Sequence, residues 1–255
     1  MRLIFLFSSL LLWQACGQDS EPAPQMTAQE IVDRAIEVAG GDLYQSATID
    51  FVFRDRAYRS TRDGGSFQLE RMTTDSSGTL TRDILSNVGF RRFIDGEEIE
   101  VSDSMATRYG NSVNSVHYFA QLPYGLNAPA VQKELLGTDT IAGKPYYEVG
   151  ITFQEEGGGT DFQDEFVYWI QQDNFTVDFL AYNYETDGGG VRFREAYNPR
   201  TVNGLRFVDY RNFKPEPEDV TMDLSQLDDW FTDDKLRLLS TIETEEVKVG
   251  NLEGE

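Results

Sequence analysis

Apolar residues between positions 27 and 41 recur at helical spacing. Ile31, Ala35, Val38 and Ala39 fall three or four apart, Thr27 and Glu30 have the spacing of a capping box, and Gly40-Gly41 ends the run. The pattern predicts an amphipathic helix that lies on a sheet or across a barrel mouth. The period then switches to two. Ile49, Phe51 and Phe53 alternate with Asp50, Val52 and Arg54, and Asp63-Gly64 separates this strand from one at Phe67-Gln68-Leu69. More strands are expected over residues 80–85 and 89–94, and Asp95-Gly96 is a hairpin signal ahead of Ile99 and Val101.

The middle of the chain changes character. Val113, Val116, His117 and Phe119 predict a helix over residues 112–121, stopped by Pro123. Residues 128–136 read as a second short helix, with Pro129 in the first turn and Gly137 at the end. Period two then returns. Tyr147, Val149, Ile151 and Phe153 share a face, residues 166–170 and 175–184 flank a turn, and residues 191–197 and 205–213 flank Asn203-Gly204. A short helix near residues 224–231 and a last strand near residues 236–247 complete the chain. Hairpin-linked strands without helical crossovers mean an antiparallel sheet, and about ten of them should curl.

The first sixteen residues differ from the rest. Met1-Arg2 is a short basic start, residues 3–13 are apolar, and Ala15 precedes Cys16, the only cysteine of the 255-residue chain. This predicts a signal peptide over residues 1–15, cut before a lipid-modified Cys16, although Trp13 stands where lipoprotein signals usually carry an aliphatic residue. Residues 16–25, with Pro22 and Pro24, read as a flexible tether, and residues 26–250 as one domain. The expected location is the cell envelope, as an outer-membrane lipoprotein held to the membrane only by its N-terminal lipid. The net charge of −22 argues against nucleic acid as a partner.

Several stretches together resemble a known family: residues 113–123 (Val113 to Pro123), Lys133-Glu134-Leu135-Leu136-Gly137, residues 157–164 around Gly157-Gly158-Gly159, and Arg192-Phe193-Arg194-Glu195-Ala196-Tyr197-Asn198. They look like an uncharacterised lipoprotein family of bacteroidete bacteria, and the resemblance covers nearly all of the chain after the tether. The fold it implies is that of outer-membrane lipoprotein carrier and sorting proteins: a mainly β, strongly curved antiparallel half-barrel with a few helices plugging its concave side. Some members carry the label deoxyribose-phosphate aldolase. A Schiff-base aldolase needs a desolvated lysine, and none of Lys133, Lys144, Lys214, Lys235 or Lys248 lies in a pattern that predicts burial. Nor does the chain alternate strand and helix as an α/β barrel must.

The candidate chemistry is sparse. His117 is the only histidine, so a pair of histidine ligands is impossible. Nucleophile-elbow, P-loop and dinucleotide motifs are absent, and no cofactor is expected. Asp161 and Asp164 follow a glycine triplet and are weak candidates for holding a metal. The hairpin spanning residues 191–213 carries arginines and tyrosines on one face. With the aromatic residues before it, this makes His117, Tyr118, Tyr182, Tyr184, Arg192, Arg194, Glu195, Arg206 and Tyr210 the candidate ligand-binding residues. The expected role is non-catalytic binding of a lipid or other amphiphile, or of another envelope protein. Two alternatives stay open: a hydrolase or lyase using His117 with acids such as Glu195 or Asp164, and a surface interaction lipoprotein.

Overall fold

A computed structural model describes residues 26–157, 159, 162–185, 188–217 and 222–251. Helix α1 (Ala28–Ala39) leads into a meander of β1 (Ala47–Phe53), β2 (Arg56–Asp63), β3 (Ser66–Thr74), β4 (Leu80–Ser86), β5 (Gly89–Ile94) and β6 (Glu97–Ile99). Helix α2 (Asp103–Ala120) crosses to a second meander of β7 (Val131–Ile141), β8 (Lys144–Phe153), β9 (Phe166–Gln171), β10 (Val177–Tyr184), β11 (Gly190–Val202) and β12 (Leu205–Pro215). Helix α3 (Leu227–Thr232) precedes β13 (Leu236–Ile242), and β14 (Glu245–Asn251) ends the described chain. The strands form two seven-stranded antiparallel sheets, β14-β1-β2-β3-β4-β5-β6 and β13-β12-β11-β10-β9-β8-β7. The expected class, mainly β with open, curved antiparallel sheets and few helices, is the one observed.

The second sheet is covered on both faces. Phe166, Tyr168 and Ile170 of β9 join α1 in one core, while Val167 and Trp169 pack with Leu224 and Leu227 in another. All six residues of β9 are therefore buried, which explains its unbroken apolar run. A third core, with Ala39, Tyr44, Ile49, Phe51 and Phe207, joins elements of both sheets. Helix α2 packs on β3, β4 and β5 of the first sheet.

The capping box of α1 forms as expected: Glu30 N–H donates to Thr27 Oγ1 at 3.2 Å, and Thr27 N–H donates to Glu30 Oε2 at 2.8 Å. Val38 is exposed, and Val32 takes its place in the buried stripe. Gly40 ends the helix at φ +134°, and a Cβ there would collide with the fully buried Leu205. Gly40→Ala is therefore expected to destabilise the protein by ~1–3 kcal/mol, read as a lower urea midpoint with an unchanged m-value.

Four local expectations fail. Residues 128–136 are not a helix: they enter strand β7, whose burial alternates along its length and whose ladder with β8 runs from Val131↔Phe153 to Ile141↔Lys144. Pro129 and Gly137 imitate helix ends, but the backbone hydrogen bonds of β8 and the burial of one face outweigh propensity. Gly137 instead marks a register shift in that ladder. The stretch between Phe53 and Asp63 holds a separate strand, β2, turned at Arg54-Asp55 with φ +50° and +60°, a hairpin turn without the usual Gly or Asn. Helix α2 begins nine residues earlier than the stripe from Ser112 suggests. The single last strand is two, β13 and β14, which belong to different sheets. Cys16, the signal segment and the tether lie outside the described residues, as does Asp161. Among the described residues no helix is long and apolar enough to cross a membrane.

Candidate functional site

A concavity of about 1150 Å³ lies between helix α2 and the second sheet. That exceeds the usual range of ~300–1,000 Å³ for small-molecule sites. Its floor comes from three neighbouring strands: Tyr182 and Tyr184 of β10, Arg192 and Arg194 of β11, and Val208, Tyr210 and Asn212 of β12. These residues alternate with outward ones, and the cross-strand pairs Tyr182↔Arg192 and Arg194↔Asn212 bring them side by side. The wall is α2, through Arg108, Asn111, Ser115, Tyr118 and Phe119, and the connection after β8 adds Gln163 and Asp164.

Arg194 dominates the floor electrostatically. The residue is only 7% exposed. Its guanidinium lies 3.7 Å from the centre of the Phe119 ring and donates to Tyr182 Oη at 2.7 Å. Its Nε meets no acceptor, and among the described residues no carboxylate pairs with it. On the facing strand Asn212 Oδ1 is likewise buried without a donor. Arg192 donates to Tyr184 Oη at 2.5 Å. Beneath them Tyr118 and Tyr168 share a hydroxyl–hydroxyl bond of 2.7 Å, and burial raises both phenols above their ordinary range, so they stay neutral. Four arginines (Arg54, Arg108, Arg192, Arg194) and two carboxylates (Asp164, Glu185) line the cavity among the described residues, an excess of positive charge in a chain of net charge −22.

The sequence-predicted residues separate here. Tyr118, Tyr182, Tyr184, Arg192, Arg194 and Tyr210 line the cavity; His117, Glu195 and Arg206 do not. His117 is 1% exposed on the opposite side of α2, edge-on to Phe51 and Tyr58. Its Nε2 donates to the Glu70 carbonyl at 3.0 Å and its Nδ1 accepts from Gln121 Nε2 at 3.2 Å, an arrangement that requires the neutral ring. Burial lowers its pKa to about 4. Glu195 faces away from Arg194 by strand alternation and pairs with Arg211 at 2.9 Å. Arg206 lies toward the start of β12, where its carbonyl accepts from Tyr44 and its guanidinium lies 3.9 Å from Asp178. Asp164, one of the two weak metal candidates, lines the cavity. None of Lys133, Lys144, Lys214, Lys235 and Lys248 is buried.

Sequence reasoning missed Arg108, Asn111 and Asn212. The first two lie in the early turns of α2, where Ser104, Thr107 and Asn111 dilute the apolar stripe. The only signal for Asn212 was its alternation with Val208 and Tyr210.

Fold and cavity together define a class: an antiparallel two-sheet protein with an aromatic, arginine-bearing cavity under a crossing helix. The chain belongs to a family of unknown function (DUF6503), whose model matches residues 3–244. No curated protein matches the sequence. It is similar to a LolA superfamily protein from Nitrosomonas europaea (15% identity, 89% of this chain and 96% of that one, TM-score 0.48). It is also similar to a DUF1329 family protein from Desulfovibrio piger (11% identity, 89% and 94%, TM-score 0.42). A domain provisionally named an outer membrane lipoprotein-sorting protein, from Vibrio parahaemolyticus, matches at 8% identity (89% and 93%, TM-score 0.47).

Proposed function

We propose that this protein is a non-catalytic binding protein of the cell envelope, tethered through Cys16, whose domain of residues 26–250 holds an amphiphile with an anionic head in the cavity under α2. The amphiphile is a lipid-like molecule or the acyl part of a lipoprotein partner. One observation carries the reading: among the described residues Arg194 is a buried cation with no carboxylate partner, and it lines an aromatic cavity. Aromatic rings and the Tyr182 hydroxyl satisfy part of the guanidinium, and an anionic head would supply the counter-charge that a buried cation favours. The apolar lining from Phe119, Phe153, Phe166, Val208 and Ile242 suits a hydrocarbon chain. Asn212 Oδ1 offers an acceptor to a hydroxyl or amide on the same head. Nothing at His117 favours acid–base chemistry, because both ring nitrogens are already engaged inside the core.

The test uses the purified full chain, delipidated by organic extraction with the extract read by mass spectrometry, then titrated with palmitate and with hexadecanol, its uncharged counterpart. Arg194→Met is expected to weaken palmitate roughly 10–100-fold, the value of a charge-assisted hydrogen bond, and to leave hexadecanol unchanged. The melting temperature should hold or rise, since the variant replaces a costly buried cation with a side chain of similar length. Equal affinity for the two ligands in the parent, or an equal loss of both in the variant, would overturn the assignment of the head to Arg194.

A further inference from the structure

On the other face of the second sheet, away from the cavity, three carboxylates from three elements meet: Asp139 of β7, Glu148 of β8 and Asp228 of α3. Strand geometry brings the first two together. Glu148 pairs with Gly137, so Asp139, two residues along β7, stands diagonally beside it on the same face. Packing brings the third. Leu224 and Leu227 seat the α3 segment on Trp169 and Tyr146, and this drives Asp228 down against the β7–β8 edge.

Asp228 is 3% exposed, and its Oδ1 has no donor. Among the described residues no lysine or arginine pairs with any of the three acids. Trp169 donates its indole N–H to Glu148 Oε1 at 3.1 Å, and the Thr140 backbone N–H donates to Asp139 Oδ1 at 2.5 Å. Burial, then the adjoining Asp139 carboxyl, pushes Asp228 well above the ordinary carboxylate range, and burial with Asp139 also raises Glu148. The Asp139 and Asp228 carboxyls adjoin in the same cluster, where two like charges cost energy unless a proton or a cation lies between them.

We propose that Asp139, Glu148 and Asp228 form a calcium site that fastens α3 to the β7–β8 edge of the second sheet. One oxygen from each residue lies within 4.8 Å of the others. Two oxygens on one Ca²⁺ at ~2.3–2.6 Å can be at most about 5 Å apart, so the spacing brings the three carboxylates into the range from which one ion can draw them together. Donors that are all carboxylate oxygen select a hard cation. Flexible carboxylates, able to bind through one or both oxygens, suit calcium better than the rigid octahedron of magnesium. The site is independent of the cavity and of the reading given to it.

The experiment titrates chelator-stripped full chain with CaCl₂ and follows melting temperature. In parallel, Tb³⁺ luminescence is excited through Trp169, whose ring contacts the Glu148 ligand. Calcium at a hundredfold excess over Kd is expected to raise the melting temperature by roughly 5–10 °C. Tb³⁺ emission should appear, be displaced by Ca²⁺, and be lost in Asp228→Asn and in Glu148→Gln. Asp164→Asn should keep the full response. Trp169→Phe should lose the sensitised emission while keeping the calcium response. If Asp228→Asn fails to fold, Asp139→Asn, on the half-exposed partner, gives the same reading. No calcium response in the parent, a response that survives Asp228→Asn and Glu148→Gln, or one removed only by Asp164→Asn would each overturn the site. Stabilisation of the metal-free protein by acid alone, with calcium inert, would assign the cluster to a shared proton and overturn it too.

Discussion

An Asp83→Ala variant is expected to lose ~3–5 kcal/mol of stability, because it strands two arginines beneath helix α2. Arg71, Asp83 and Arg92 stand directly opposite one another on β3, β4 and β5. Asp83 is 2% exposed and accepts from Arg71 Nη2 at 2.7 Å, Arg92 Nε at 2.6 Å and Arg92 Nη2 at 2.9 Å. The ladder also holds α2: Arg71 donates to Ser112 Oγ at 2.8 Å, and the Arg92 guanidinium lies 3.6 Å from the centre of the Tyr109 ring. Since α2 is the wall of the cavity, the same variant should loosen the cavity from the side opposite its floor. For a domain of this size the loss corresponds to a drop of roughly 6–20 °C in melting temperature. A change below ~1 kcal/mol in urea denaturation would mean that solvent already screens the ladder.

Asp83 also sets the acid limit. Burial alone would raise its carboxyl, but hydrogen bonds from Arg92 and Arg71 outweigh burial and hold it below the ordinary range. A folded-state value below the unfolded one gives stability that is present above about pH 3.9 and is lost as pH falls through the folded value. The Asp83→Ala curve should lack that final loss.

The second large effect is expected at milder acidity. Burial lowers the His117 pKa from 6.5 to about 4; the hydrogen bond to the Glu70 backbone opposes the shift, and the nearby Arg62 charge adds to it. Unfolded chains therefore bind a proton at His117 before folded ones do. The contribution is fully present above pH 6.5 and is lost as pH falls toward 4, by on the order of 3 kcal/mol in all. His117→Gln should flatten the urea midpoint across that window and leave the region above pH 7 parallel to the parent. Because the chain has one histidine, its ring proton can be followed by NMR without assignment. A midpoint near pH 6.5 there, or parallel stability curves for the two proteins, would refute the prediction.

Particular residues show what was legible. The Thr27–Glu30 capping box and the Asn203-Gly204 turn are local chemistry, settled within a few residues, and both form where expected. The alternation of Arg192 and Arg194 with Phe193 and Glu195 placed the arginines on one face, and that face lines the cavity. His117 was misplaced because a helix pattern gives the angle around the axis but not which packed neighbour occupies each side. Strand β7 was misread because Pro129 and Gly137 carry the marks of helix ends, while the hydrogen bonds that make it a strand come from β8. Arg54-Asp55 hid a hairpin because the turn is enforced by the β1–β2 pairing and not by a permissive residue.

By itself, the sequence determined the β-rich antiparallel class, the caps and turns, and the shared face of the hairpin arginines and tyrosines. Each depends on residues a few positions apart, where backbone geometry leaves few options. Only the tertiary structure decided that the strands divide into two sheets, with β14 returning to β1. It also decided that α2 lies over a cavity floored by β10–β12, that Arg194 is buried with no carboxylate partner among the described residues, and that Asp139, Glu148 and Asp228 converge. These features join residues up to about two hundred positions apart, as in the pairing of Thr48 with Gly250, and their position is set by which surfaces bury apolar area together, a condition that no local pattern encodes.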